Sequence, residues 1–313
     1  MSRLVSPDTF ARAESDLYFS RIAGTGGFGQ FLHFRDLGDI AAQVVIRQNR
    51  DTLYSAGIFD LDAGDVTVTL PDSAARFMSV QVISEDHYTV EVAYAPATVI
   101  LSRDTVGTRY VLVAVRTLVD PNNPADVAAV HALQDAIEVT QPEPGSFEIP
   151  DWDPVSQQTV RDALLTLSTT LTDSARTFGA KDEVDPVHHL IGTAFAWGGN
   201  PERDALYLTV VPPANDGATV LRLTVKDVPV DGFWSVTVYN KDGYFSPNPQ
   251  NAYSVNNITA VPDADGSTTI QFGGDGAANL LPITDGWNYI VRLYRPRPEI
   301  LDGSWTFPAA GPV

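Results

Sequence analysis

The sequence predicts an α+β fold with two duplicated β-rich units, each a β-sandwich or part of a large mixed sheet, joined by a helical segment. Three short stretches occur twice in the chain and in the same order, which indicates an internal duplication. Runs of alternating or continuous apolar residues accompany these stretches in both halves and predict strands. Between the halves lies a region that is bounded by prolines and has apolar residues at helical spacing. This pattern predicts the helical joining segment.

The duplication is carried by three pairs of matching segments. The pairs are Arg50–Tyr54 with Arg203–Tyr207, Phe77–Val82 with Phe233–Val238, and, more loosely, Gly107–Leu112 with Gly286–Val291. Three matches in one order are hard to obtain by chance. They predict an N-terminal β-rich unit at residues 1–120, a helical connector at 121–198 and a C-terminal β-rich unit at 199–313.

The first half is expected to begin with a helix and to continue with strands. Ser6 followed by Pro7 is typical of a helix N-terminus, and the helical spacing ends near Gly24. The β-rich pattern starts at Val44. The clearest strands expected here are Val66–Leu70, Phe77–Ile83 and Tyr110–Val115.

The connector is expected to be helical. The expected helices run from Asn122 to about Val139, from Pro154 to about Phe178 and from Pro186 to Trp197. The second of these has an apolar stripe formed by Val160, Leu164, Leu167 and Leu171. Such a stripe favours a core-facing connector over a partner-binding helix, and the β pattern resumes from Leu206 to Tyr294.

Composition excludes several classes of function. The chain has 313 residues, a formal net charge of −19 and no cysteine, which removes disulfides and thiolate chemistry. With an acidic balance and only three lysines among its 20 basic residues, it lacks the clustered cations that nucleic acid or an anionic membrane would need. No apolar run could span a bilayer and no export signal is visible, so a cytoplasmic location is the default expectation. A homo-oligomer remains open.

Several further segments carry a resemblance to a known family. They are Gln48–Ser55, Gly232–Asn240, Tyr253–Asn256, Asn279–Pro282, Arg292–Pro296 and Leu301–Trp305. Through them the chain resembles bacterial proteins that pair an N-terminal domain of unknown function 1254 with a C-terminal domain of unknown function 1214. The resemblance implies a multidomain α+β protein with extensive β-sheet, and it brings no settled activity.

Candidate ligand-binding residues lie just ahead of the first strands. Asn49, Arg50, Thr52 and Tyr54, together with Asp51, bring an amide, a cation, a hydroxyl, a phenol and a carboxylate into six residues. Such a cluster could orient a polar ligand, with Arg50 holding a carboxylate or phosphate. The alternative is a scaffold role, which the matching Arg203, Asp204 and Tyr207 favour. Asn49 and Thr52 differ between the copies and are the better functional candidates.

The second copy supplies aromatic and basic candidates. The proposed ligand wall is formed by Trp234, Tyr239, Tyr253 and Tyr294, with Arg292 nearby in sequence. Aromatic side chains in strands are more often part of the core, so each of them has a structural alternative.

His87 is the best acid–base candidate. It follows Glu85 and Asp86 at a strand end, where Asp51 could share a cleft with it as the second catalytic group. The spacing of the histidines matches no metal motif, and no Walker loop, dinucleotide fingerprint or serine elbow is present, so neither a metal nor a cofactor is expected.

Together these patterns predict a cleft where the two units meet that binds a small polar ligand, a saccharide or a carboxylate. Asp51 and His87 would make the protein a hydrolase or lyase. The alternative is a non-catalytic ligand-binding or assembly module in which both residues are structural.

Overall fold

A computed structural model describes residues 2–43 and 46–313 of the chain. Val44, the expected start of the β-rich pattern, lies outside the described residues. The helices are α1 (Pro7–Gly24), α2 (Arg103–Val106), α3 (Pro124–Asp135), α4 (Pro154–Ser168), α5 (Pro186–Phe195) and α6 (Pro298–Leu301).

The strands of the first half are β1 (Leu32–His33), β2 (Thr52–Asp60), β3 (Val66–Leu70), β4 (Met78–Ser84), β5 (Thr89–Tyr94), β6 (Ala97–Leu101), β7 (Tyr110–Leu118) and β8 (Glu138–Thr140). Those of the second half are β9 (Ala205–Val210), β10 (Leu221–Val225), β11 (Trp234–Tyr239), β12 (Ser254–Asn256), β13 (Thr268–Phe272), β14 (Leu280–Leu281), β15 (Asn288–Tyr294) and β16 (Gly311–Pro312). The expected fold class, α+β with β-rich units, is confirmed.

The chain divides into two compact units whose segments alternate along the sequence. The first unit runs up to Arg35 and includes Tyr54–Leu118 and Ala128–Glu202. The second unit consists of Asp36–Leu53, Val119–Val127 and Arg203–Val313. Most of the expected helical connector therefore belongs to the first unit, whereas the segment that carries Arg50 and Asp51 belongs to the second.

Each unit contains two sheets that share one apolar core, and their strands pair antiparallel except for the parallel pair β13–β14. In the first unit the strand orders are β1-β2-β7-β4-β5 and β6-β3-β8, and in the second β12-β11-β15-β9 and β14-β13-β10-β16. Alternate residues of β3, β4 and β7 fill the first core, and alternate residues of β10, β11 and β15 fill the second. Each unit is therefore a β-sandwich.

Seven strands of each sandwich follow the same order, which supports the duplication. The series β2-β7-β4-β5 in the first unit corresponds to β9-β15-β11-β12 in the second. In the other sheet, β3 between β6 and β8 corresponds to β10 between β13 and β16. The first two sequence matches therefore mark equivalent strands.

The third sequence match is wrong in register by three residues. Ser79 pairs with Arg116 on β7, and its equivalent Ser235 pairs with Arg292 on β15. Arg116 is therefore the counterpart of Arg292, although the sequence match had aligned the two tyrosines Tyr110 and Tyr289. A shift by an odd number of residues exchanges the two faces of a sheet, so the sequence match also assigned these side chains to the wrong faces.

Two expected helices end earlier than the sequence pattern indicated. Helix α3 ends at Asp135, because Glu138–Thr140 forms strand β8 against β3. Helix α4 ends at Ser168, where the hydroxyls of Ser168, Thr169 and Thr170 donate to carbonyls of the last turn. Leu167, which the expected stripe included, is exposed.

Helices α1, α4 and α5 pack together within the first unit, where Phe10, Ala13, Leu164 and Ile191 form their shared core. Phe19 of α1 reaches the outer face of the sheet beside Ile58. In the second unit a non-helical segment occupies the corresponding face, because Ile40 packs against Tyr239 and Ile290.

Candidate functional site

The second unit contains an open pocket of about 400 Å³. It is lined by Leu37, Gly38, Asp39, Ile40, Ala41, Arg50, Pro247, Asn251 and Tyr253. Three loop segments supply these residues, and all of them belong to the second unit. A pocket of this size falls within the range of roughly 300–1,000 Å³ that small-molecule sites occupy.

Arg50 provides the positive charge of the pocket. Its Nη1 donates to the carbonyl of Gly38 at 2.8 Å, and its guanidinium lies 5.2 Å from the Tyr253 ring centre and 5.6 Å from that of Phe245. Burial lowers the pKa of Arg50 from its ordinary value, but an arginine still stays protonated at neutral pH. Within residues 2–43 and 46–313, no carboxylate forms an ion pair with Arg50.

The residues on either side of Arg50 bond to the second unit's sheet. Asn49 donates from Nδ2 to the Tyr294 hydroxyl at 3.0 Å and accepts from the Asp51 backbone N–H at 2.7 Å. Asp51 is fully buried, and its Oδ1 accepts from Ser254 at 2.8 Å and from Asn256 at 3.1 Å. These bonds anchor the segment around Arg50.

Arg292 occupies the polar face of the same sheet and is only 3% exposed. Its Nη1 donates to Thr237 Oγ1 at 3.0 Å, and its Nη2 donates to the Arg47 carbonyl and the Tyr239 hydroxyl, both at 2.8 Å. The Tyr239 hydroxyl in turn donates to the Gln48 carbonyl at 2.8 Å. Arg292 and Tyr239 therefore tie the chain at Arg47 and Gln48 onto the sheet.

Neighbouring groups also set the charge state of Arg292. Burial by itself lowers the pKa of its guanidinium. The phenols of Tyr239 and Tyr294 and the carboxyl of Asp51 outweigh burial, so the pKa is raised overall. Arg292 is thus a permanent positive charge inside the second unit, and its hydrogen bonds are charge-assisted.

The first unit contains an equivalent buried arginine. Arg116 donates from Nη1 to Gln81 Oε1 at 2.7 Å and from Nη2 to the Gly198 carbonyl at 3.2 Å. Gln81 occupies the same place on β4 that Thr237 occupies on β11. The Arg116 guanidinium also lies over the ring of Tyr54, at 5.4 Å from its centre. In both units an arginine of a central strand, β7 or β15, thus bonds a residue of the neighbouring strand, β4 or β11.

The predicted aromatic wall is divided between the two faces of the sheet. Trp234 lies in the sandwich core near Phe307. Tyr239 and Tyr294 lie on the opposite face, buried, where Tyr294 stacks on Phe233 with ring centres 4.2 Å apart. Tyr253 is the member of this set that lines the pocket. Alternation along β11 and β15 explains this division, since adjacent residues point to opposite faces.

His87 is enclosed within the first unit and is 2% exposed. Its Nε2 accepts from the Gly198 backbone N–H at 2.8 Å, so its Nδ1 carries the proton and donates to Thr193 Oγ1 at 2.8 Å. Burial, with His189 nearby, holds the pKa of His87 well below its ordinary value. The imidazole is therefore neutral, and both of its nitrogens are engaged.

Two further predicted site residues are also buried. Asp51 is 0% exposed, and Thr52, at the start of β2, is 1% exposed. His87 belongs to the first unit and Asp51 to the second, and neither side chain reaches solvent. Of the predicted site residues, Arg50 and Tyr253 are the two that line the pocket. Asn49 and Thr52, which the comparison of the two copies favoured, do not line it.

The two carboxyls beside His87 interact with helix α1. Arg12 donates to Asp86 Oδ1 at 2.7 Å and lies 3.8 Å from Glu85. Burial raises the pKa of Glu85, although its Oε2 accepts from the Tyr110 N–H at 2.9 Å. These contacts hold α1 on the first unit.

Two features are absent from the described part of the chain. No group of three or more histidine, aspartate or glutamate side chains there could hold a metal ion. Among the helices described, none is long and apolar enough to cross a membrane.

Sequence reasoning missed most of the pocket lining. Leu37–Ala41, Pro247 and Asn251 lie in loops and have no periodic pattern. The signal that could have indicated these residues was the length of their loops, since long loops between regular elements often carry function.

Two β-sandwiches that share the order of seven strands, with helices packed on the first and a charged pocket in the second, define a duplicated β-sandwich protein. Residues 28–103 match the family described as a protein of unknown function, DUF1254, and residues 213–298 match the one described as a protein of unknown function, DUF1214. The chain belongs to the proteins that pair these two domains, as the resemblance of its sequence predicted. No curated protein matches the chain.

Two solved structures are similar to this fold. The VPA0106 protein from Vibrio parahaemolyticus is 18% identical with a TM-score of 0.73, and the match covers 97% of this chain and 96% of that one. An uncharacterised protein from Burkholderia cenocepacia is 17% identical with a TM-score of 0.56, covering 97% of this chain and 86% of the other. At these identities the similarity concerns the fold alone.

Proposed function

We propose that the second unit binds a small carboxylate in its pocket and that Arg50 holds the carboxylate group. The observation that carries this proposal is the state of Arg50. Its guanidinium lines a pocket of about 400 Å³, is partly buried, and has no ion pair with a carboxylate of the described residues. A partly buried positive charge that no ion pair compensates is unfavourable, and an anionic ligand would supply the counter-ion.

The surroundings of Arg50 favour a carboxylate. A guanidinium can form two parallel hydrogen bonds with a carboxylate, and these are stronger than bonds between neutral groups. The contact with the Gly38 carbonyl occupies Nη1 and fixes the orientation of the group, and the Tyr253 ring supports it from one side. The side chain is therefore already ordered, which lowers the entropic cost of binding.

The matching arginine of the second copy is in a different state. Arg203 lies 3.4 Å from Asp204 in an ion pair, and its side chain is about half exposed. Its charge is compensated by its own neighbour in the sequence. Arg50 also precedes an aspartate, but Asp51 bonds to Ser254 and Asn256 instead. The duplicated motif has thus kept the scaffold role of its aspartate, whereas the first copy leaves its arginine available to a ligand.

The proposal is the non-catalytic form of the function expected from the sequence. Within the described residues, the ionisable side chains of the pocket are Asp39, Arg50 and Tyr253. The expected acid–base pair, Asp51 and His87, is buried. Binding therefore has more structural support than hydrolysis or elimination.

A thermal-shift screen tests the proposal. The wild-type protein, Arg50→Gln and the matched control Arg203→Gln would be heated with small organic acids, neutral sugars and aliphatic amines. A ligand at 100 times its dissociation constant adds about 2.7 kcal/mol of stability. We expect organic acids to raise the melting temperature of the wild type and of Arg203→Gln but not that of Arg50→Gln. If acids stabilise Arg50→Gln as much as the wild type, or if no acid stabilises the wild type, the proposal is wrong.

A further inference from the structure

We infer that the ligand of this pocket is an amino acid with an apolar side chain, whose carboxylate binds Arg50 and whose ammonium binds Asp39. The inference rests on the proposed function, because it assigns the ligand class of the same site. It adds a second charged contact and thereby a specificity for zwitterions over simple carboxylates.

Asp39 supplies the negative charge. It lines the same pocket as Arg50, and its Oδ1 accepts from the Ala41 backbone N–H at 2.9 Å. This local bond orients the carboxylate, and it leaves acceptor capacity for a donor in the pocket. The side chain is exposed, and in the described part of the chain it forms no ion pair.

Asp39 and Arg50 have opposite charges, line one pocket, and are not in ion-pair contact with each other. A simple carboxylate bound to Arg50 would place its negative charge in the same pocket as that of Asp39, and like charges repel each other. A ligand that also carries an ammonium group offsets this repulsion and satisfies Asp39. Two separated opposite charges in one pocket therefore favour a zwitterionic ligand.

The remainder of the lining is suited to an aliphatic side chain. Leu37, Ile40 and Pro247 contribute apolar surface, and Tyr253, which is 8% exposed, also lines the pocket. Burying an aliphatic group against such surface contributes about 25 cal/mol per Å². Leucine is accordingly a suitable probe, because it combines both charges with a branched aliphatic chain.

Isothermal titration with three matched compounds tests the inference. L-Leucine has both charges, isocaproate lacks only the ammonium, and isoamylamine lacks only the carboxylate. Each would be titrated into the wild type, Asp39→Asn, Arg50→Gln and the control Asp36→Asn. Asp36 is an exposed aspartate of the same loop that does not line the pocket. Circular dichroism would verify that each variant is folded.

We expect leucine to bind the wild type and Asp36→Asn about fivefold more tightly than isocaproate, as an exposed ion pair of up to about 1 kcal/mol allows. Asp39→Asn should abolish this preference by weakening leucine binding alone. Higher salt should reduce the preference in the wild type, because salt screens exposed charges. Arg50→Gln should weaken both acids, and isoamylamine should bind least.

Two kinds of result would overturn the inference, and they are distinguishable. If isocaproate binds the wild type at least as tightly as leucine and Arg50→Gln abolishes its binding, the role of Asp39 is wrong while the carboxylate site stands. The same holds if Asp39→Asn keeps the full preference for leucine. If neither acid binds the wild type, or if Arg50→Gln binds both unchanged, the carboxylate site itself is wrong and the inference fails with it.

Discussion

Replacing Arg292 with methionine should destabilise the second unit strongly. The substitution keeps an unbranched side chain but removes three hydrogen bonds, at 3.0 Å to Thr237 and at 2.8 Å each to the Arg47 carbonyl and the Tyr239 hydroxyl. Arg292 is only 3% exposed, so water cannot replace the lost donor readily. Each buried acceptor left unsatisfied costs about 1–3 kcal/mol, and removing one partner from a buried charged network typically costs about 3–5 kcal/mol. We expect a loss of about 3–5 kcal/mol for Arg292→Met.

Urea unfolding followed by tryptophan fluorescence measures this loss, since Trp234 and Trp287 lie in the core of the second unit. The matched control is Arg297→Met. This arginine forms an ion pair with Asp231 in which both side chains are exposed. The control should unfold close to the wild-type midpoint. If Arg292→Met unfolds at the same urea concentration as this control, the buried network does not stabilise the unit as described.

Two further results should follow from backbone space and from titration. Gly217→Ala should lower the free energy of unfolding by about 1–3 kcal/mol more than Gly266→Ala in thermal unfolding. Both glycines have positive φ, but a Cβ at Gly217 would lie 2.5 Å from the Asp285 backbone nitrogen, whereas Gly266 faces open space. Equal losses of stability in the two variants would contradict the described packing. His87 is held neutral in the folded protein, so the unfolded chain takes up its proton first below about pH 6.5, and stability should fall with decreasing pH by up to about 1.4 kcal/mol per pH unit. In His87→Asn unfolding measurements this part of the slope should disappear, and an unchanged slope would show that His87 is not the group responsible.

Hydrophobic alternation predicted most of the fold. Val66–Leu70 and Tyr110–Val115 lie in strands, Phe77–Ile83 does so from Met78 onward, and the expected helix at Pro7–Gly24 comes before them. The pattern failed where a local competitor decided the structure. The hydroxyls around Thr169 ended a helix whose apolar spacing continued, because they bonded the carbonyls of its last turn.

The candidate site was less predictable than the fold. The sequence showed that polar and charged side chains cluster around Arg50, but it did not show where each side chain points. Asn49 and Asp51 bond partners about 200 residues or more further along the chain, Tyr294 and Ser254. Single-sequence patterns contain no information on such distant pairs, so Arg50 could not be separated from its neighbours.

The correspondence between Arg116 and Arg292 shows a second reason why the site was less predictable than the fold. The two residues hold equivalent positions, yet the sequences around them differ enough that the matching tyrosines suggested another register. Ladder pairing with the adjacent strand decides the register of a strand, and this pairing is a tertiary property.

A crystal structure of the protein with isocaproate would test the central claim most directly, through the distance between the ligand carboxylate and the Arg50 guanidinium. We expect carboxylate oxygens at about 2.7–2.9 Å from the guanidinium nitrogens, with the bond from Arg50 to the Gly38 carbonyl retained. A structure in which Arg50 instead pairs with a carboxylate of the protein, or in which isocaproate occupies another place, would contradict the account.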